Sequence, residues 1–446
     1  MPSYKQVLIL GAVTLFSLSA KGQDIKAECK FDFGSGKVKK GYIPVTDNTV
    51  YSKERGYGFL PGSTVRSVNR GGDALKGDYI SSDKPFYFSV KLPEGNYDVK
   101  VILGDKEGTS SQTVRAECRR LMIPPFKTEK GEIVERKFSV HIRTSKIAGT
   151  TESVRLKPRE LNYFHWDDQL TLEFNGKEPK VCAIEIKPAK KPVTVFLAGN
   201  STVVDQSEEP WAAWGQMIPS FFKPGKVAVA NYAESGEALY SFRSAKRLEK
   251  ILSLMKPGDY LFIEFGHNDQ KRKGEGIGPF TSYKSDLKYY IAEARKRGGI
   301  PVLVTSMHRR NFDASGKIVN TLGDYPEAVR QAGKEENVPV IDLNNMSKEL
   351  YEAWGVEPSL KAFVHYPANS FPNQTQAIAD NTHFSTYGAY EIARCIAKGI
   401  KDNNLGLAKH LKGDLPDFDP GQPDPIESFV WPLSPPSASI VKPDGN

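Results

Sequence analysis

Val193–Asp205 reads VTVFLAGNSTVVD, and its two parts demand different backbone. Val193–Leu197 is apolar and β-branched without alternation, the composition of a short strand buried on both faces. Ala198-Gly199-Asn200 breaks that run and delivers Ser201. A serine just past a buried strand stands at its C-terminal end, where open α/β sheets keep their ligand crevices. Taken alone, such a serine caps the next helix. Its meaning depends on what else reaches the same edge.

Downstream, apolar runs and helical periods alternate. Val227–Asn231, Tyr260–Phe265, Pro301–Thr305 and Val338–Asp342 read as strands. Ser241–Met255, Thr281–Arg297, Tyr325–Glu336, Asn344–Trp354 and Thr386–Asn404 read as helices. Five strands with helices between them predict a parallel sheet wound on both faces, a three-layer α/β/α domain over residues 193–410, and flavodoxin-like strand order is expected. Upstream, residues 24–190 hold short period-2 segments such as Phe86–Leu92 and Tyr97–Leu103 between Gly and Pro turns, the pattern of an antiparallel β-sandwich. Residues 411–446 are rich in Pro, Asp and Gly. They are expected to lack a helix and to lie over the surface or remain without order, with Phe429 and Trp431 as anchors.

The 446 residues exceed one ordinary core, and 39% hydrophobic with 26% charged residues describes a globular chain. The formal charge of +8 is spread along the chain rather than gathered in one tract. It favours an acidic partner such as an acidic carbohydrate, and nucleic acid is not expected. Residues 1–22 place Lys5 before the apolar run Val7–Leu18 and small residues after it, the pattern of a signal peptide. The mature protein is therefore expected to be exported, periplasmic or extracellular, without membrane insertion and as a monomer. Cys29, Cys118, Cys182 and Cys395 form no CxxC pair, and buried free thiols are expected for most of them. No HExxH or comparable ligand cluster occurs, so neither a metal nor another cofactor is expected.

Three further stretches fall where Ser201 does. Asn231–Gly236 follows the second strand, Gly266-His267-Asn268-Asp269 follows the third, and Asp380-Asn381-Thr382-His383 lies in the loop before the last helix. Ester cleavage by a serine needs a base, which His383 can be near neutral pH, and an acid to orient it, which Asp380 can be. It also needs donors set in advance for the oxyanion. The main-chain N–H groups of Ser201 and Gly236 and the side-chain amide of Asn268 can supply three. In this order and on this strand pattern, the second half resembles the SGNH (GDSL-like) hydrolases, and within them the rhamnogalacturonan acetylesterase branch. The resemblance implies Ser201 as nucleophile, Gly236 and Asn268 as further oxyanion donors, and Asp380 and His383 as acid and base. One departure stands out: the usual Gly-Asp-Ser block is Gly199-Asn200-Ser201 here.

Arg309 and Arg310 follow the fourth strand and are candidates for gripping a uronate carboxylate. Trp214 is expected in the core and Trp211 nearer the crevice, as a candidate substrate contact. The upstream half is similar to galactose-binding-like sandwiches on the strength of FDFGSG at Phe31–Gly36 and RGYGF at Arg55–Phe59. Tyr163, His165 and Trp166 are its candidate sugar contacts, with packing as the other reading, and Asp167 and Asp168 a conceivable calcium site. The expected function is removal of O-acetyl groups from pectic rhamnogalacturonan. The alternatives are an acetyl-xylan or other short-acyl esterase, and a non-catalytic carbohydrate-binding protein.

Overall fold

The computed structural model describes residues 28–435 and 442–444. The expected signal peptide lies outside the described residues. Val193–Gly199 is a strand, and its side chains divide by parity. Val195 and Leu197 join one apolar cluster, while Phe196 and Ala198 join another. Phe262 and Ile263, and Val304 and Leu303, split in the same way between the two clusters. Successive strand residues point to opposite faces, so a run with no polar alternation must be covered on both. The five parallel strands are ordered Val227–Asn231, Val193–Gly199, Tyr260–Glu264, Ile300–Val304 and Val340–Ile341. This is the flavodoxin-like order. Trp214–Met217, Leu343–Trp354 and Thr386–Asp402 cover one face. Leu239–Ser244, Arg247–Leu254, Lys284–Lys296 and Tyr325–Glu336 cover the other.

Two features of this half differ from the sequence reading. The helix expected over Ser241–Met255 is two helices, Leu239–Ser244 and Arg247–Leu254, because Lys246 adopts a left-handed φ of 62° between them. Asp380 and His383 sit not in a loop but on a strand, Ile378–Phe384, paired antiparallel with Phe363–Tyr366. The isolated polar residues of that strand hid it from the periodicity.

Upstream, two sheets face each other. One contains Ile133–Ile142, Gly95–Gly104, Lys180–Pro188, Cys29–Phe33 and Ile43–Val45, with Asp78–Ser81 and Arg66–Asn69 attached to Lys180–Pro188. The other is ordered Tyr57–Phe59, Phe86–Lys91, Gln169–Lys177, Ser110–Ala116 and Arg120–Thr128. Pairing is antiparallel throughout except between Cys29–Phe33 and Ile43–Val45. Aromatic rings fill the space between the sheets: Phe88 meets Phe31 and Phe33 edge-on at centroid distances of 5.2 and 4.9 Å. All four cysteines are buried and free. Burial pushes the Cys29 thiol up to about 12 and raises those of Cys118, Cys182 and Cys395 as well.

The two halves meet through polar groups. Arg120 reaches Asp205 with Nε at 3.1 Å and Nη2 at 2.7 Å, both residues fully buried. Arg247 pairs with buried Glu160, Lys250 with Glu94, and His141 Nε2 lies 3.1 Å from the Tyr232 hydroxyl. His165 and Trp166 are buried at this interface, and Trp166 packs against Tyr232. The C-terminal residues then run back across both halves. Trp431 stacks on Phe429 and lies under the Arg115 guanidinium at 3.7 Å, and its Nε1 donates to Glu209.

Candidate active site

Gly199 ends the strand because nothing larger fits. A Cβ there would lie 2.5 Å from Val203 Cγ2 and 3.1 Å from the Glu264 carbonyl oxygen. The chain then turns on Asn200, whose Oδ1 accepts from the Thr202 N–H at 3.0 Å and the Thr202 hydroxyl at 2.9 Å. That is an Asx turn, which a neutral amide makes as well as a carboxylate does. The departure at Asn200 therefore leaves the loop intact. The loop's far side is tied down by Asn231 Nδ2, which donates to the Val203 carbonyl at 2.7 Å and to Asp205 Oδ1 at 2.8 Å. Asp205 is in turn held by Arg120 from the sandwich. Beneath the loop, Glu264 accepts from Thr202 Oγ1 at 3.1 Å and from Trp214 Nε1 at 2.7 Å. Burial pushes its carboxyl up to about 7 against the pull of those two donors.

On an ordinary strand, residues three apart face opposite sides. Here the register jumps: Phe363 opposes Phe384, but Val364 opposes Asp380. The extra residues bulge out, and a bulge re-aims side chains. Asp380 Oδ2 thereby lies 2.7 Å from His383 Nδ1, while Oδ1 accepts from the N–H groups of Thr382 at 2.9 Å and His383 at 3.1 Å. His383 Nε2 lies 2.7 Å from Ser201 Oγ. Burial alone would raise the Asp380 carboxyl, but the imidazole contact and the two N–H donors hold it well below the usual carboxylate range.

Gly236 has a φ of 81°, a conformation that favours glycine. Among the described residues, neither its N–H nor that of Ser201 donates within the chain. Asn268 Nδ2 donates to the Glu237 carbonyl at 3.0 Å, which aims the amide and leaves its second hydrogen available. Asp269 fixes this loop by accepting from the N–H groups of Leu239 and Gly266, each at 2.9 Å. Burial pushes its carboxyl up to about 7.

Next to the site, a cavity of about 750 Å³ opens between the two halves, lined in part by Tyr87, Arg119, Tyr163, Gln206, Trp211 and Phe371. Gln206 joins it to the serine by donating to the Ser201 carbonyl at 2.9 Å. Trp211 is thus on the cavity wall and Trp214 in the core. Arg309 and Arg310 are not among the residues that line this cavity. Arg309 donates to the Thr321 hydroxyl and the His267 carbonyl, and Arg310 to Ser359 Oγ and the Val356 carbonyl, so both anchor loops. His267 is buried, and burial together with the charge of Arg309 keeps its imidazole well below its ordinary range. Among the described residues no group of three or more His, Cys, Asp or Glu could hold a metal ion, and no helix is long and apolar enough to cross a membrane. Residues that the sequence reading missed are Arg120, Asp205, Glu264 and Asp269. Asp205 and Asp269 lie inside the quoted motifs and could have been singled out; nothing local marks Arg120.

The beta-agarase/YXIM esterase-like, galactose-binding domain-like family matches residues 29–123, and the GDSL-like Lipase/Acylhydrolase family matches residues 197–389. Rhamnogalacturonan acetylesterase RhgT of Bacillus subtilis (strain 168) is 46% identical over 224 residues, which cover 50% of this chain and 95% of that protein. Esterase YxiM of the same organism is 26% identical over 385 residues, covering 84% of this chain and 91% of YxiM. A solved structure of YxiM is also 26% identical and covers 85% of this chain and 99% of its own, with a TM-score of 0.44. With that identity to RhgT across nearly its whole length, and the acylhydrolase match lying on the parallel sheet, the chain belongs to the GDSL-like lipase/acylhydrolase family and is a carboxylic ester hydrolase.

Proposed function

We propose that the chain removes O-acetyl groups from pectic rhamnogalacturonan, as an exported enzyme, through Ser201, His383 and Asp380. The observation that carries this reading is the unbroken chain of short contacts from Asp380 through His383 to Ser201 Oγ, beside the main-chain N–H groups of Ser201 and Gly236, which meet no acceptor among the described residues. The likeness to a rhamnogalacturonan acetylesterase supports the substrate. Ser201 Oγ attacks the acetyl carbon while His383 Nε2 takes its proton, and ionised Asp380 stabilises the imidazolium. The oxyanion falls to the N–H groups of Ser201 and Gly236 and to Asn268 Nδ2. The proton on Nε2 passes to the departing sugar oxygen. Water then enters by the same route, and acetate leaves.

Acetate release from acetylated rhamnogalacturonan, run beside acetyl-xylan and beside Ser201→Ala, tests the reading. Release from the first substrate that the serine variant lacks supports it. Release from acetyl-xylan alone overturns the substrate, and equal rates for the variant overturn the nucleophile.

A further inference from the structure

Residues 442–444 lie across the reacting groups. Lys442 Nζ is 3.6 Å from Asp380 Oδ2. Two residues on, Asp444 reaches Gly236: a Cβ placed on that glycine would be 2.8 Å from Asp444 Cβ and 3.2 Å from Lys157 Nζ. With this segment in place Ser201 and His383 are only 2% and 1% exposed, too closed for a polysaccharide to enter. The segment therefore occupies ground that substrate must cross.

What holds Asp444 is a cationic cluster supplied mostly by the sandwich side. Arg159 Nη1 pairs with Asp444 Oδ2, and Lys157 Nζ lies 3.9 Å from the same oxygen. Arg159 is oriented in advance. Its Nε and Nη2 donate to Glu234 Oε1 at 3.1 and 2.6 Å, which turns Nη1 outward. Glu234 is buried and cannot turn away. Lys271 adds its charge from beside Asn268, whose Oδ1 it meets at 3.1 Å. Burial alone would raise the Asp444 carboxyl, but Arg159, Lys157 and Lys271 together hold it below its ordinary value. The cluster thus favours an ionised carboxylate beside a donor for the oxyanion.

We propose that Arg159, Lys157 and Lys271 form a carboxylate subsite next to the reacting ester, built to take the uronate of an acidic acetylated oligosaccharide and filled in this structure by the chain's own Asp444. The inference rests on Ser201 being the nucleophile, but it assigns substrate recognition to side chains outside the acylhydrolase match at residues 197–389 in the case of Lys157 and Arg159. Arg309 and Arg310, whose guanidinium groups anchor loops, are not needed for it.

The test compares the full chain with Arg159→Gln, Lys271→Gln and Asp444→Asn on three substrates: an acetylated rhamnogalacturonan oligosaccharide, a neutral acetylated xylo-oligosaccharide and p-nitrophenyl acetate. Arg159→Gln is expected to raise KM for the acidic oligosaccharide about tenfold relative to KM for the neutral xylo-oligosaccharide, and Lys271→Gln about threefold on the same ratio. Asp444→Asn is expected to lower the same KM about threefold, as an internal competitor is removed. Unacetylated trigalacturonate should inhibit p-nitrophenyl acetate hydrolysis, and Arg159→Gln should weaken that inhibition about tenfold. Equal effects of Arg159→Gln on KM for the acidic and the neutral oligosaccharide, or no inhibition by trigalacturonate, overturn the subsite. The inhibition assay reads the subsite even if the polysaccharide assignment fails. Lys271 is exposed, so its variant reports on the cluster should Arg159→Gln prove unstable.

Discussion

The loop that carries Ser201 is gripped from two sides by different kinds of bond. On the sheet side the contacts are short-range and neutral: the Asx turn at Asn200, the Asn231 amide, the tight fit at Gly199. On the sandwich side they are long-range and charged: Arg120 on Asp205, and Arg119 Nη1 on the Trp211 carbonyl at 2.9 Å. The first grip is made within one domain, by the serine's own turn and by the neighbouring strands. The second exists only when a different domain docks. The position of Ser201 is thus partly a property of the domain interface, and removal of a distant arginine should be felt at that serine.

The largest expected effect tests the local side. Ser201→Ala and His383→Ala should each lower kcat on p-nitrophenyl acetate by at least about 10⁴-fold, and Asp380→Asn by about 10³–10⁴-fold, with unfolding midpoints close to wild type. A residual rate near wild type in any of them would detach that residue from the chemistry. Next, Arg120→Met leaves the Asp205 carboxylate buried without its partner, which should cost about 3–5 kcal/mol in denaturant unfolding. Arg120→Met combined with Asp205→Asn should recover much of that loss, and failure to recover would mean that the pair is not what joins loop to sandwich.

A smaller effect concerns the acid under the loop. The Glu264 carboxyl is raised from 4.5 to about 7, so between those values the folded chain holds a proton that the unfolded chain has released. Its contribution to stability is complete below about pH 4.5 and declines as pH rises through about 7, by at most about 3 kcal/mol. Glu264→Gln should remove that decline, so the midpoint difference between the two proteins should change across this window; a constant difference would refute the buried proton. The smallest effect expected is that of Trp431→Ala, about 1–2 kcal/mol, because the ring is partly buried and stacks on Arg115. An unchanged unfolding curve would mean that the returning C-terminal residues add nothing to the junction.

The sequence was informative where chemistry and periodicity are local. Val193–Leu197 could only be a strand covered on both faces, and the serine, glycine, asparagine, aspartate and histidine stretches each sit at a recognisable break in a pattern. Two classes of fact were out of reach. The bulge that swings Asp380 and His383 to one side depends on the register against Phe363–Tyr366, and pairing register cannot be read from one strand. Likewise Arg120, Arg159 and Arg247 carry no local mark, since a long cationic side chain on a strand, a turn or a helix end looks like any solvated one until its carboxylate partner from another domain is known. Tyr163, His165 and Trp166 were candidates for sugar contact. Only Tyr163 reaches the cavity, while Trp166 packs on Tyr232 in the seam and His165 packs on Trp166.

The four cysteines carry a consequence for handling the protein. Each cysteine is buried and joined to no second sulfur, and burial raises each thiol above its ordinary value. Redox buffers should therefore neither build nor dismantle this molecule. Dithiothreitol should leave turnover untouched, alkylating reagents should label the chain only after unfolding, and folding in a reducing cytosol should yield the same catalyst as folding in an oxidising compartment.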